Sequence, residues 1–150
     1  MLSTEATRGH TPLAITIRKP KASDQGYVAS TWVESLCRAN ADTTRGGHGM
    51  LVDQLLDHPN VRCLLAVDPN RPNDIYGWLV WSPMKAIRLV HFVYTRVALR
   101  DRGVAAALRT AAELDDNDRP LVYTMRGPAW MSLSRKYPTA IEQPVKEFLA

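Results

Sequence analysis

One junction restricts the fold of this chain more than any other segment. A long β-prone stretch, residues 87–99, rich in Val, Tyr and Phe, runs through Arg100-Asp101-Arg102-Gly103-Val104-Ala105 into a helical pattern. That helix places Val104, Ala107, Leu108, Ala111 and Leu114 on one face. A glycine-bearing turn that opens a helix leaves the first backbone N–H groups without partners. Those donors, together with the positive end of the helix dipole, form a seat for phosphate. Gly103 lets an anion approach the backbone, Ala105 is small enough to do likewise, and Arg100 and Arg102 add positive charge. An ordinary strand-to-helix turn with solvated arginines has the same local form, so the rest of the chain must decide between them.

Upstream, residues 13–18 alternate apolar and polar side chains and predict a first strand, which Pro20 stops. Ser23-Asp24 supplies an N-cap for a helix carrying Tyr27, Val28, Thr31, Trp32, Ser35 and Leu36, with its end near Asn40. Residues 42–49, with Gly46, Gly47 and Gly49 around His48, read as a flexible loop, and 50–56 as a short helix after it. The apolar runs 61–67 and 75–81 flank a segment dense in turn formers, 68–74, which predicts an antiparallel hairpin. After the helix from Gly103 to Leu114 come a polar break, a fifth strand at 121–125 and a short helix at 128–136 opened by Pro128. Residues 141–149 suit a last strand or an irregular cover, with Pro144 against the strand. This order predicts an α/β fold with a central mixed sheet flanked by helices.

Composition narrows the class. At 150 residues, with 45% apolar and 23% charged side chains, the chain suits a single globular domain over 13–150 behind a loose tail at 1–12. No run approaches the ~18 apolar residues a membrane span needs, and the polar N-terminus lacks a signal-peptide core, so a cytoplasmic location is expected. Cys37 and Cys63 lack metal-ligand spacing, no metal is expected, and buried free thiols are the simplest reading. A net charge of +4 suits an anionic partner; it permits nucleic acid without indicating it.

The loop Arg100-Asp101-Arg102-Gly103-Val104-Ala105 resembles the Arg/Gln-x-x-Gly-x-Gly/Ala signature of the GCN5-related N-acetyltransferase (GNAT) superfamily. Its flanks agree, with a long strand before and the Ala/Leu-rich Ala105-Ala106-Ala107-Leu108 after. The likeness extends over residues 14–138: Ile15 to Asp24 resembles the family's opening strand and helix start, and the hairpin with Gly77 in its second strand resembles the next two strands. The resemblance implies acetyl-coenzyme A, or another acyl-coenzyme A, as co-substrate. Its pyrophosphate would sit on the amides of Arg102 to Ala105, and its pantetheine arm beside Tyr94 and Thr95 as a pseudo-strand. The implied reaction is direct attack of a neutral amine on the thioester.

Two departures from the family pattern concern the chemistry. The thiolate acid is often a Tyr in the helix after the fifth strand; here Ser134 takes that position and Tyr137 follows one turn later. Either hydroxyl is a candidate acid, and solvation or packing at a helix end is the structural alternative. The base is often a Glu on the fourth or fifth strand, yet 87–99 and 121–125 hold no carboxylate. His91 is the only group there that titrates near neutral pH, as a base or as a packed structural residue. The 45–49 loop lies where relatives shape the acceptor site, so its glycines suggest a mobile lid and His48 a substrate contact. Trp78, Trp81 and Trp130 read as packing residues before stacking platforms.

Three functions compete. The first is an N-acyltransferase on a small-molecule or macromolecular amine. The second keeps the cofactor and takes a nucleobase or nucleic acid as acceptor. The third is a catalytically silent coenzyme A-binding protein. A monomer or a homodimer is compatible with each.

Overall fold

The structure, a computed structural model, describes residues 12–39, 45–125 and 141–149. Among them six strands form one mixed sheet in the order of the sequence: β1 (Thr16–Arg18), β2 (Arg62–Asp68), β3 (Arg71–Ser82), β4 (Arg88–Thr95), β5 (Leu121–Tyr123) and β6 (Ile141–Glu142). The pairs β1–β2, β2–β3 and β3–β4 are antiparallel, whereas β4–β5 and β5–β6 are parallel. The α/β architecture, with helices against a mixed sheet, is the one the sequence predicts.

Helices α1 (Gln25–Ala39), α2 (Arg45–Asp57) and α4 (Val145–Leu149) share one hydrophobic core with one side of the sheet. Trp32 and Trp78, both fully buried, pack 5.3 Å apart between ring centres, with Phe92 5.7 Å from each. The Trp78 indole N–H donates to Thr31 Oγ1 at 2.9 Å, so its one polar atom is satisfied. Helix α3 (Val104–Ala111) covers the other side, where Val104, Leu108 and Leu114 meet Tyr76, Leu79 and Val93. Trp78 is therefore core, and Trp81, half-buried, packs on the α3 side.

Several boundaries differ from the sequence reading. Asp24 does not cap α1 from the N-cap position. A 3-10 turn, Ala22–Asp24, precedes the helix, and the Asp24 carboxylate turns back to accept from the Lys21 N–H and from Arg18, both at 2.7 Å. The 42–49 loop is corrected over 45–49: these residues are the first turns of α2. Glycines disfavour a helix by roughly 1 kcal/mol each. Burial of Val52 and Leu55 in the shared core, invisible to local propensity, outweighs that. The turn of the β2–β3 hairpin is shorter than 68–74, because β3 already begins at Arg71. Strand β4 gives way at Val97–Leu99 to a 3-10 turn. Helix α3 stops at Ala111 rather than Leu114, closed by paired bonds from Leu114 N–H to Arg109 O (2.9 Å) and Glu113 N–H to Thr110 O (3.1 Å). The 141–149 tail resolves into β6 and α4, with Pro144 between them. The helix expected at 128–136 lies outside the described residues.

Candidate functional site

Strand β4 carries both halves of the site. Its register against β3 slips once: Phe92 faces Val80 and Val90 faces Trp81, leaving His91 as the extra residue of a bulge. Against β5 the pairing is short, Arg88↔Leu121 to Val90↔Tyr123, closed by Thr124 N–H to Val90 O at 3.1 Å. No register pair joins β4 to β5 past that point among the described residues. The Arg96 N–H donates to Tyr76 O (2.9 Å), so by alternation the backbone groups of Val93 and Thr95 face away from β3, toward the line β5 would have followed. From Val90 to Thr95 this edge is about 16 Å long at ~3.3 Å per residue.

The edge ends at the glycine loop. Gly103 sits at the N-cap of α3 with φ 87°, in the left-handed region, and nothing lies within 4 Å of where its Cβ would be. Asp101 is also left-handed, at φ 63°. The first intrahelical bond is Ala107 N–H to Gly103 O, at 3.0 Å, which leaves the amides of Val104, Ala105 and Ala106 as the helix's orphan donors. Arg100 and Gly103 are exposed, Arg102 and Ala105 half-buried, and Val104 buried against Gly77. Arg96 is engaged elsewhere, paired with Asp74 at 2.8 Å. Gly77 is what lets the strand and helix come together, since a Cβ there would meet the Tyr94 carbonyl oxygen and come within 3.0 Å of Val104 Cγ1. Tyr94 is half-buried and stacked on Trp78 at 5.6 Å, and Thr95 is half-buried beside it at the strand end.

At the other end of the edge, His91 is fully buried. Its Nε2 lies 2.8 Å from Ser82 Oγ and its Nδ1 2.8 Å from Thr124 Oγ1, while the Phe148 ring covers it edge-on at 4.6 Å. Burial, reinforced by the neighbouring His58, pushes its pKa down to about 4, so the ring is neutral at physiological pH. Ser82 and Thr124 were not singled out in the sequence. An alternating strand pattern assigns His91 to a face only if the bulge is known, and no local signal brings residue 124 to it.

Thr124 also lines a cavity of about 270 Å³, walled by Leu36 of α1, His48 and Leu51 of α2, and residues around β6 and the start of α4. The structure thus brings His48 to the same cavity as Thr124, as a buried helical residue and not on a mobile lid. Ser134, Tyr137 and Trp130 lie outside the described residues. The two cysteines are free; Cys63 is raised to about 12 by burial and is inert as a nucleophile. No group of three metal-ligating side chains occurs among the described residues, and none of their helices is long and apolar enough to cross a membrane.

No family model matches the sequence, and no curated protein matches it. Solved structures do. A possible acetyltransferase from Clostridium difficile 630 aligns with a TM-score of 0.53 at 14% identity, over 83% of this chain and 87% of that one. The structure of AAC(6')-Iy, in complex with the bisubstrate analogue CoA-S-monomethyl-acetylneamine, aligns with a TM-score of 0.52 at 13% identity, over 87% and 92% of the two chains. A GCN5-related glucosamine N-acetyltransferase region of a fungal multi-domain β-N-acetylglucosaminidase aligns with a TM-score of 0.52 at 12% identity, over 73% of this chain and 13% of that one. The chain carries the GNAT fold, the fold of these acetyltransferase neighbours.

Proposed function

We propose that the chain is an acyl-coenzyme A-dependent N-acyltransferase. The observation that carries this reading is the continuous path along β4: a backbone edge past Val90, without a ladder partner among the described residues, that leads to an open, left-handed Gly103 and the orphan amides of α3. A phosphate-bearing chain with its own amides fits that path. The amides of Arg102 to Ala105, with the Arg100 and Arg102 guanidiniums, would hold the pyrophosphate; the edge at Val93 and Thr95, beside Tyr94, would pair with the pantetheine amides.

In the transfer, the amine nitrogen forms a bond to the thioester carbonyl carbon, the carbon–sulfur bond breaks, and the proton lost by nitrogen ends on sulfur. The chain contributes positioning of the two reactants and hydroxyls for the proton. Ser134 and Tyr137 are the candidates to protonate the thiolate. His91 is engaged at both ring nitrogens, so its role in this reading is to hold neighbouring groups in place. The acceptor is an amine, small-molecule or macromolecular, entering by the cavity of His48 and Thr124.

Calorimetry with acetyl-coenzyme A tests the reading directly. Gly103→Glu sets a carboxylate where the phosphate would lie and should weaken binding at least 100-fold relative to the unaltered protein. No binding at millimolar acetyl-coenzyme A would sink the proposal; binding without thiol release on a broad amine panel would leave only the coenzyme A-binding protein.

A further inference from the structure

The chain Ser82–His91–Thr124 has a direction, and the direction follows from counting protons. A neutral imidazole has one N–H donor and one bare acceptor nitrogen. Among the described residues, His91 is the hydrogen-bond partner of both hydroxyls, at 2.8 Å on each side. Ser82 is fully buried. If His91 Nε2 carried the proton and donated to Ser82 Oγ, the Ser82 hydroxyl proton would point into the core with no acceptor, and a buried unsatisfied donor is the costly arrangement. If Ser82 instead donates to a bare Nε2, that proton is satisfied and only a hydroxyl lone pair goes unused. The His91 proton then sits on Nδ1 and is donated to Thr124 Oγ1. Thr124 thereby becomes an acceptor on its inner side, and its own proton turns outward.

Outward is the cavity. Thr124 is only 3% exposed, yet it forms part of the wall of the 270 Å³ space that His48 and Leu51 share. Other polar side chains on that wall are His48, Glu142 and Lys146. The burial that keeps His91 neutral at physiological pH keeps the direction fixed there.

We propose that Thr124 is a directed hydrogen-bond donor in the acceptor cavity, set by His91 and Ser82 as positioning residues, and that it selects amines carrying a carbonyl oxygen beside the reacting nitrogen. An α-amino carbonyl compound satisfies it; a plain alkylamine leaves it unpaired, which is how a built polar site rejects an analogue. The substrate half of this inference rests on the acyltransferase reading, and the donor half does not.

Nitrogen-15 NMR of the His91 ring in the unaltered protein reads the donor half without any turnover. The expected tautomer is protonated Nδ1 with bare Nε2, retained in Ser82→Ala and displaced toward protonated Nε2 in Thr124→Val. Protonated Nε2 in the unaltered protein overturns the assignment. The substrate half is read as the ratio of kcat/KM for glycinamide over propylamine with acetyl-coenzyme A. At least tenfold is expected, falling toward one in Thr124→Val and returning in Thr124→Ser; equal values in the unaltered protein overturn the selectivity. Absence of turnover with both amines, beside protonated Nδ1, counts against the substrate half alone and leaves the donor assignment standing. Calorimetric titration with the same two amines then decides the selectivity, and equal or absent binding of glycinamide overturns it.

Discussion

The two ends of the β4 edge are made of opposite materials. At Gly103 the site is backbone: open space, a left-handed residue and the first amides of α3, with side chains contributing only charge. At His91 it is side chains: three buried polar groups from three stretches of chain, hydrogen-bonded at 2.8 Å and sealed by Phe148. A backbone site depends on few residue identities and tolerates exposure. A buried polar chain depends on every member, because each one left unpaired costs desolvation. Stability should therefore be sensitive at the buried end, and ligand binding at the open one.

The largest expected effect tests the buried end. His91 is held at about 4 against an ordinary 6.5, so below pH 6.5 the unfolded chain takes up a proton that the folded chain refuses. Stability contributed by the neutral ring is whole above pH 6.5 and lost as pH falls toward 4, and the gap is worth about 3 kcal/mol. Urea unfolding between pH 7 and pH 4 should show that slope, and His91→Gln should flatten it. Asp24, whose carboxyl is held down by its bond to Arg18, adds its own loss only below its ordinary 3.8. An unchanged slope in His91→Gln would break the contrast between the two ends.

Next in size is the joint that sets the loop on the strand. Gly77→Ala drives a methyl onto the Tyr94 carbonyl and against Val104, and should cost about 2 kcal/mol. Coenzyme A affinity should drop with it, since Val104 opens α3. A loss under ~0.5 kcal/mol in urea unfolding would mean that strand and helix part without strain.

The smallest effect has opposite signs at two glycines. Gly103→Ala meets no neighbour but keeps its left-handed backbone, costing about 1 kcal/mol. Gly49→Ala, also in open space and inside α2, should gain about 0.5–1 kcal/mol. Thermal unfolding of the pair separates a glycine kept for its conformation from one the helix merely tolerates. A gain at Gly103 would remove the case for a loop shaped for close approach.

Much of this arrangement is legible in the chain. The β2–β3 hairpin follows from two apolar runs around turn formers, and α3 from its apolar spacing behind a glycine, because both are local in sequence. The 45–49 segment was not legible: three glycines argue for a loop, and the packing of α2 beside α1 on the shared core overrides them. His91 could be noticed as a titratable strand residue, but neither of its partners could. Ser82 lies nine residues away and Thr124 thirty-three.

The sequence by itself determined the element order from β1 to β5, the helix face of α3 and the glycine at its mouth, since periodicity and backbone freedom are properties of a few consecutive residues. Only the tertiary structure decided which way His91 turns, what holds its two nitrogens, and that Thr124 stands between that chain and a cavity. Those facts depend on a strand bulge, which no residue pattern marks, and on the parallel pairing of β4 with β5, which joins residues far apart in the chain.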